Sequence, residues 1–160
     1  MAGTVDLKGL AVVMDKMASA VVLDASEYQN ELVTRFVAEV GRRTPVDAGT
    51  ARSNWVVTLG SPFSGVRAAF SPFLSRKHKG PGGSVSETRN QAGSVWAAAA
   101  VLVSNKDGQA VYITNNLPYI QRLNEGWSKQ APAGFVEASV AVASTETDKA
   151  FDFPNIKALF

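Results

Sequence analysis

Few side chains in this sequence are equipped for bond-making chemistry. It has one histidine, His78, and no cysteine. Thiolate nucleophiles, disulfides and thiolate zinc sites are therefore excluded. His78 lies among cations in the segment Ser75 to Gly83, SRKHKGPGG, where an exposed imidazole is expected rather than a base or a ligand. The glycines Gly80, Gly82 and Gly83 lack the Gly-Lys-Ser/Thr ending of a phosphate loop. No serine sits in a nucleophile elbow, and the carboxylates do not recur at i, i+3 or i+4 on one face. Asp47 and Arg52 read as a turn with a local ion pair. Glu125 has no neighbouring acid or oxyanion donor in sequence. The expectation is a protein that is not an enzyme and binds no cofactor or metal.

The 160 residues suit one domain, and the formal net charge of +2 is too small to imply nucleic-acid binding. No signal-peptide pattern and no run long enough to span a bilayer are seen, so a protein made in a cytoplasm and free of membranes is expected.

From Leu7 to about Val40 apolar residues recur every three or four positions, through Leu10, Met14, Met17, Val21, Ala25, Tyr28, Leu32 and Phe36. This spacing predicts a helix, with Asp6 as cap and Gly41 as stop. At 1.5 Å per residue such a helix is about 50 Å long, while a compact domain of this size is about 30–35 Å across. It must kink near Ser19 to Asp24 or project, and a projecting end that meets a neighbouring subunit is the favoured reading.

Thr44-Pro45 closes that region, and Trp55 to Leu59 predicts a strand. Residues 61–88 read as a long irregular loop with its mobile tip at Ser75 to Gly83. The loop and its border carry the cations Arg67, Arg76, Lys77, Lys79 and Arg89. Ser86 to Asn105 predicts a largely buried, alanine-rich helix. The alternative there is a hairpin of Val101 to Ser104 with Gln109 to Thr114. Ala110 to Thr114 predicts a second strand, a short helical turn follows Pro118, and a last helix runs from Pro132 to near Lys149. The fold class expected is α+β, in one domain over residues 1–150. Residues 151–160 form a docking tail; Pro154 leaves it as an extended arm reaching another subunit, and folding back on its own domain is the alternative.

Two segments carry more than periodicity: TPVDAGTARSNW at Thr44 to Trp55, and NNLPYIQRLNEGWSKQAPAGFV at Asn115 to Val136. Their pattern and order resemble a family of tail-completion and neck proteins of long-tailed bacteriophages. There a TPVDTGxxRxxW segment follows a long helix and an NxxPYxxxLExGxSxQAPxG segment leads into the last one. Together they cover about a fifth of the chain. The departures are Ala48 for Thr, Asn124 before the Glu, and Trp127 where a smaller or polar residue is common. The matching positions are Thr44, Pro45, Asp47, Gly49, Arg52, Trp55, Asn116, Pro118, Tyr119, Leu123, Glu125, Gly126, Gln130, Ala131, Pro132 and Gly134. The role expected of them is to shape turns and helix starts.

The resemblance implies a small, mostly antiparallel sheet packed by the long N-terminal helix and the C-terminal helix. It also implies a virion location at the neck or tail top, in a homo-oligomeric ring of six, with twelve as the alternative. That ring would join the tail to the DNA-filled head. Its neighbours would be a head–tail connector or stopper protein on one side and a tail tube or tail terminator protein on the other. A tail terminator ring capping the tube is the alternative function. A module using the basic loop for non-specific contact with packaged DNA is the second. The residues expected at interfaces are Tyr28, Leu32 and Phe36 on the long helix, and Phe151, Phe153, Ile156, Leu159 and Phe160 in the tail.

Overall fold

A computed structural model describes residues 7–70, 83–105 and 108–159. It has the expected α+β architecture, with a long N-terminal helix, a C-terminal helix and a small antiparallel sheet. Helix α1, Leu7–Arg43, is one continuous element of 37 residues, about 55 Å long at 1.5 Å per residue. It runs through the expected stop at Gly41 and ends at Arg43, three residues beyond Val40 and just before Thr44-Pro45. The Thr44 N–H and hydroxyl both donate to the Val40 carbonyl, at 2.8 and 2.6 Å. Arg52 then donates from Nε to the Thr44 carbonyl and from Nη2 to the Arg42 carbonyl. A guanidinium thus satisfies carbonyls that a helix end leaves without partners. The expected cap, Asp6, lies outside the described residues.

A short helix, α2 (Thr50–Ser53), turns the chain into strand β1 (Val56–Leu59). After the insertion comes α3 (Gly83–Leu102), then β2 (Val111–Thr114). The strands pair antiparallel, with Val57 opposite Ile113 and Leu59 opposite Val111, which rules out the hairpin of Val101 to Ser104 with Gln109 to Thr114. Alanine and leucine at 97–102 belong to the helix, as their propensities favour. Helix α3 begins at Gly83, three residues before the expected cap Ser86 and within the stretch 61–88 expected to be loop. It is also less buried than expected. Ser94, Ala98 and Leu102 face inward, while Trp96 is 75% exposed.

Helix α4 (Ile120–Asn124) and helix α5 (Phe135–Ala150) follow. Helix α5 starts after Gly134, in left-handed conformation at φ 74°, rather than at Pro132. It runs back along α1, with Arg35 paired to Glu146 and the Tyr28 hydroxyl donating to Asp148. Between these helices and one sheet face sits the core, built on Phe36, Val37, Val40, Trp55, Val57 and Phe135. Phe36 meets Trp55 edge to face at 6.1 Å between ring centroids, a geometry that aromatic quadrupoles favour.

The tail departs from the expected extended arm. Residues Pro154–Lys157 form a short helix, α6, with Pro154 at its first position, where the missing N–H costs nothing. Its N-terminus is capped from α1. The Asp24 carboxylate, 1% exposed, accepts from the N–H groups of Asn155 and Ile156 at 2.9 Å and from the Asn155 amide at 2.8 Å. Burial alone would raise the Asp24 pKa, but these donors hold it below the ordinary carboxylate value. Phe151 stacks edge-on against both Tyr28 and Phe153. The tail therefore docks in cis, because a carboxylate on α1 supplies what the α6 N-terminus lacks.

Candidate interaction surface

The two sequence segments that stood out fold into one joint, although 84 residues separate their linking contact. The Gln130 side chain clips onto Val46 from both sides: its Oε1 accepts from the Val46 N–H and its Nε2 donates to the Val46 carbonyl, each at 3.0 Å. A side-chain amide here imitates a strand neighbour. Trp55 ties the joint to the end of α1, its Nε1–H donating to the Thr44 hydroxyl at 2.8 Å. Thr44, Pro45, Trp55 and Ala131 are buried, while Asp47, Pro118, Glu125 and Pro132 are exposed. Gly49, at φ 82°, and Gly126, at φ 88°, take left-handed conformations that side-chain-bearing residues rarely adopt. A Cβ on Gly126 would also press on Ala133 at 3.1 Å.

Between the segments lies a recess of about 350 Å³, lined by Pro45, Val46, Asp47, Tyr119, Leu123 and Gln130. Burial and the nearby Asp47 charge raise the Tyr119 phenol above its ordinary pKa. It is therefore a neutral hydrogen-bonding group at physiological pH.

Asparagines do much of the positioning, and sequence reasoning missed most of them. Asn124, noted only as a departure from the family pattern, bridges α4 and α5. Its Oδ1 accepts from the Val136 N–H, its Nδ2 donates to the Glu137 carboxylate, and its carbonyl accepts from the Gly134 N–H. Asn54, fully buried, accepts from the Arg67 N–H at 2.7 Å and donates to the Arg67 carbonyl at 2.8 Å. Asn116 donates to the Phe63 and Gly65 carbonyls. Residues 61–70, the first part of the expected irregular loop, are thereby tied to the domain. The Arg67 guanidinium packs over the Phe63 ring at 5.4 Å. Asn105 joins the end of α3 to Gln29 and Asn30 of α1. A bias of Asn toward buried turn positions after helices and strands was the one available signal.

Arg76, Lys77 and Lys79, with His78 and Phe160, fall outside the described residues, as do the side-chain surroundings of Arg89. The expected interface residues on the long helix make contacts within the chain. Phe36 is 8% exposed and belongs to the subunit's own core. Leu32 packs against that core, and Tyr28 is engaged with Asp148 and Phe151. In the tail, Phe151 and Ile156 are half-buried, while Phe153 and Leu159 stay largely exposed. The exposed apolar surface lies nearer the N-terminus: Val12, Val13, Met14, Met17, Val21 and Val22 are 42–61% exposed. The α1 side chains paired with α5, Tyr28 and Arg35, lie C-terminal to this stretch.

No group of three or more His, Cys, Asp or Glu able to hold a metal occurs among the described residues, and no described helix is long and apolar enough to cross a membrane. Comparison of the chain with protein-family models, curated proteins and solved structures returns no match.

Proposed function

We propose that this chain is a virion structural protein, a subunit of a ring at the head–tail junction that joins a phage tail to the filled head. One observation carries the reading. The N-terminal half of the long helix presents Met14, Met17 and Val21 to solvent, a surface that a neighbour would cover. Support comes also from the family-like segments, which form one rigid joint built on Gln130, Val46, Thr44 and Trp55. Such a joint fixes a frame and offers no reacting group. Ring neighbours would be a connector or stopper protein above and a tail tube or terminator protein below.

The test is genetic and visual. Inactivating this gene in its phage is expected to leave DNA-filled heads and full-length tails that do not join, seen by electron microscopy of the lysate. Tails of uncontrolled length would instead assign it to the tail terminator. Intact virions in normal yield would overturn both.

A further inference from the structure

The molecule carries two apolar surfaces, one convex and one concave. The convex one is the exposed ridge of α1 around Met14, Met17 and Val21. Across residues 11–25 one face of this helix holds Ala11, Met14, Met17, Ala18, Val21, Val22 and Ala25, with no charge among them. The concave one is a groove of about 340 Å³ between α1, α5 and the sheet, reaching down to Phe36 and Trp55 and rimmed by Leu32, Ile113, Val140 and Ala143.

Ridge and groove cannot meet within one chain. Leu32 and Phe36 of the groove and Val21 of the ridge stand on the same continuous helix, about 16–22 Å apart along its axis at 1.5 Å per residue. They can meet between chains. The ridge exposes on the order of 500 Å² of apolar surface, most of the roughly 800 Å² that one partner contributes to a standard interface. We infer that the groove between α1, α5 and the sheet receives the Ala11–Ala25 ridge of a second copy of this chain. Such a contact joins different patches of the two subunits. It is therefore heterologous, and repetition closes it into a ring or extends it into a filament. The inference deepens the ring reading and rests on it for closure alone, since the contact itself is a property of the purified protein.

The absence of cysteine makes the test clean. Val21→Cys marks the ridge and Val140→Cys, at a position 49% exposed, marks the groove rim. The two single variants, mixed at tens of micromolar under mild oxidation, are expected to give a mixed disulfide dimer in several-fold excess over either variant alone. Within one chain the two positions are too far apart to bridge, since a disulfide needs Cα atoms within about 7 Å. Efficient self-linking of Val21→Cys alone would indicate ridge against ridge, and absence of the mixed product would indicate no such contact. Either result overturns the proposal. A second variant guards against misfolding. Met17→Glu with Val21→Glu alters only exposed positions. It is expected to keep the thermal midpoint while the native mass falls from a multiple of 17.0 kDa to a single chain. An unchanged native mass would overturn the proposal too. These outcomes concern the purified chain, so they can fail while the head–tail joining phenotype stands, and the reverse.

Discussion

Replacing Thr44 by valine isolates one hydrogen bond at the joint. Valine keeps the branched shape and opens no cavity, so only the hydroxyl is lost. The Val40 carbonyl keeps a partner, because it also accepts from the backbone N–H of residue 44 at 2.8 Å. The indole N–H of Trp55 does not: its acceptor is the Thr44 oxygen at 2.8 Å, and both residues are buried, at 1% and 7% exposure. An orphaned buried donor costs about 1–3 kcal/mol, and the added methyl returns up to about 0.8 kcal/mol by apolar burial. The expected net loss is about 1–2 kcal/mol. For 160 residues an unfolding entropy of about 2.1 cal/mol/K per residue converts this to a fall of roughly 3–6 °C in Tm. Calorimetry and urea unfolding of Thr44→Val, Thr44→Ser, Trp55→Phe and the Thr44→Val/Trp55→Phe pair would measure it. Serine should stay close to wild type, and the double-mutant cycle should show coupling of at least 0.5 kcal/mol. Equal losses for serine and valine, with additive doubles, would refute the assignment of the hydroxyl as the indole's acceptor.

Three further outcomes are expected. Glu39 is held down to about 2 by hydrogen bonds from Arg42 and Arg43. Its contribution is therefore full above its ordinary value of 4.5 and is lost as pH falls from there toward about 2. Glu39→Gln should cost about 0.2–1 kcal/mol near neutral pH, as for partly exposed ion pairs, and the gap should close on acidification. Deleting residues 152–160, or changing Asp24 to Ala, should lower the unfolding midpoint of the isolated subunit. An unchanged midpoint would contradict the docking of α6 on α1. Gly126→Ala should destabilise by about 1–2 kcal/mol, since a left-handed backbone angle penalises a Cβ; a neutral result in urea unfolding would show that the turn relaxes.

Local rules were enough for much of this protein. The step of three and four from Leu10 to Phe36 made α1 legible, the Thr44-Pro45 pair lies where it ends, and the β-branched runs at 56–59 and 111–114 became strands. The length of α1 against the size of the domain left two outcomes, a kink near Ser19 to Asp24 or a projecting end, and the helix is one continuous element. What only the tertiary structure decided was which partners are met. The stripe that announces the helix does not say how far α5 covers it. Phe36 therefore proved to be core, while the uncovered surface lay at Met14 to Val22. Nothing in the spacing marks Asp24, whose role comes from α6 folding onto it. Asn54, Asn105 and Asn124 carried no periodic signal, since a buried amide is placed by backbone groups distant in sequence. The Gln130 clip on Val46 spans 84 residues, a separation across which spacing rules say nothing.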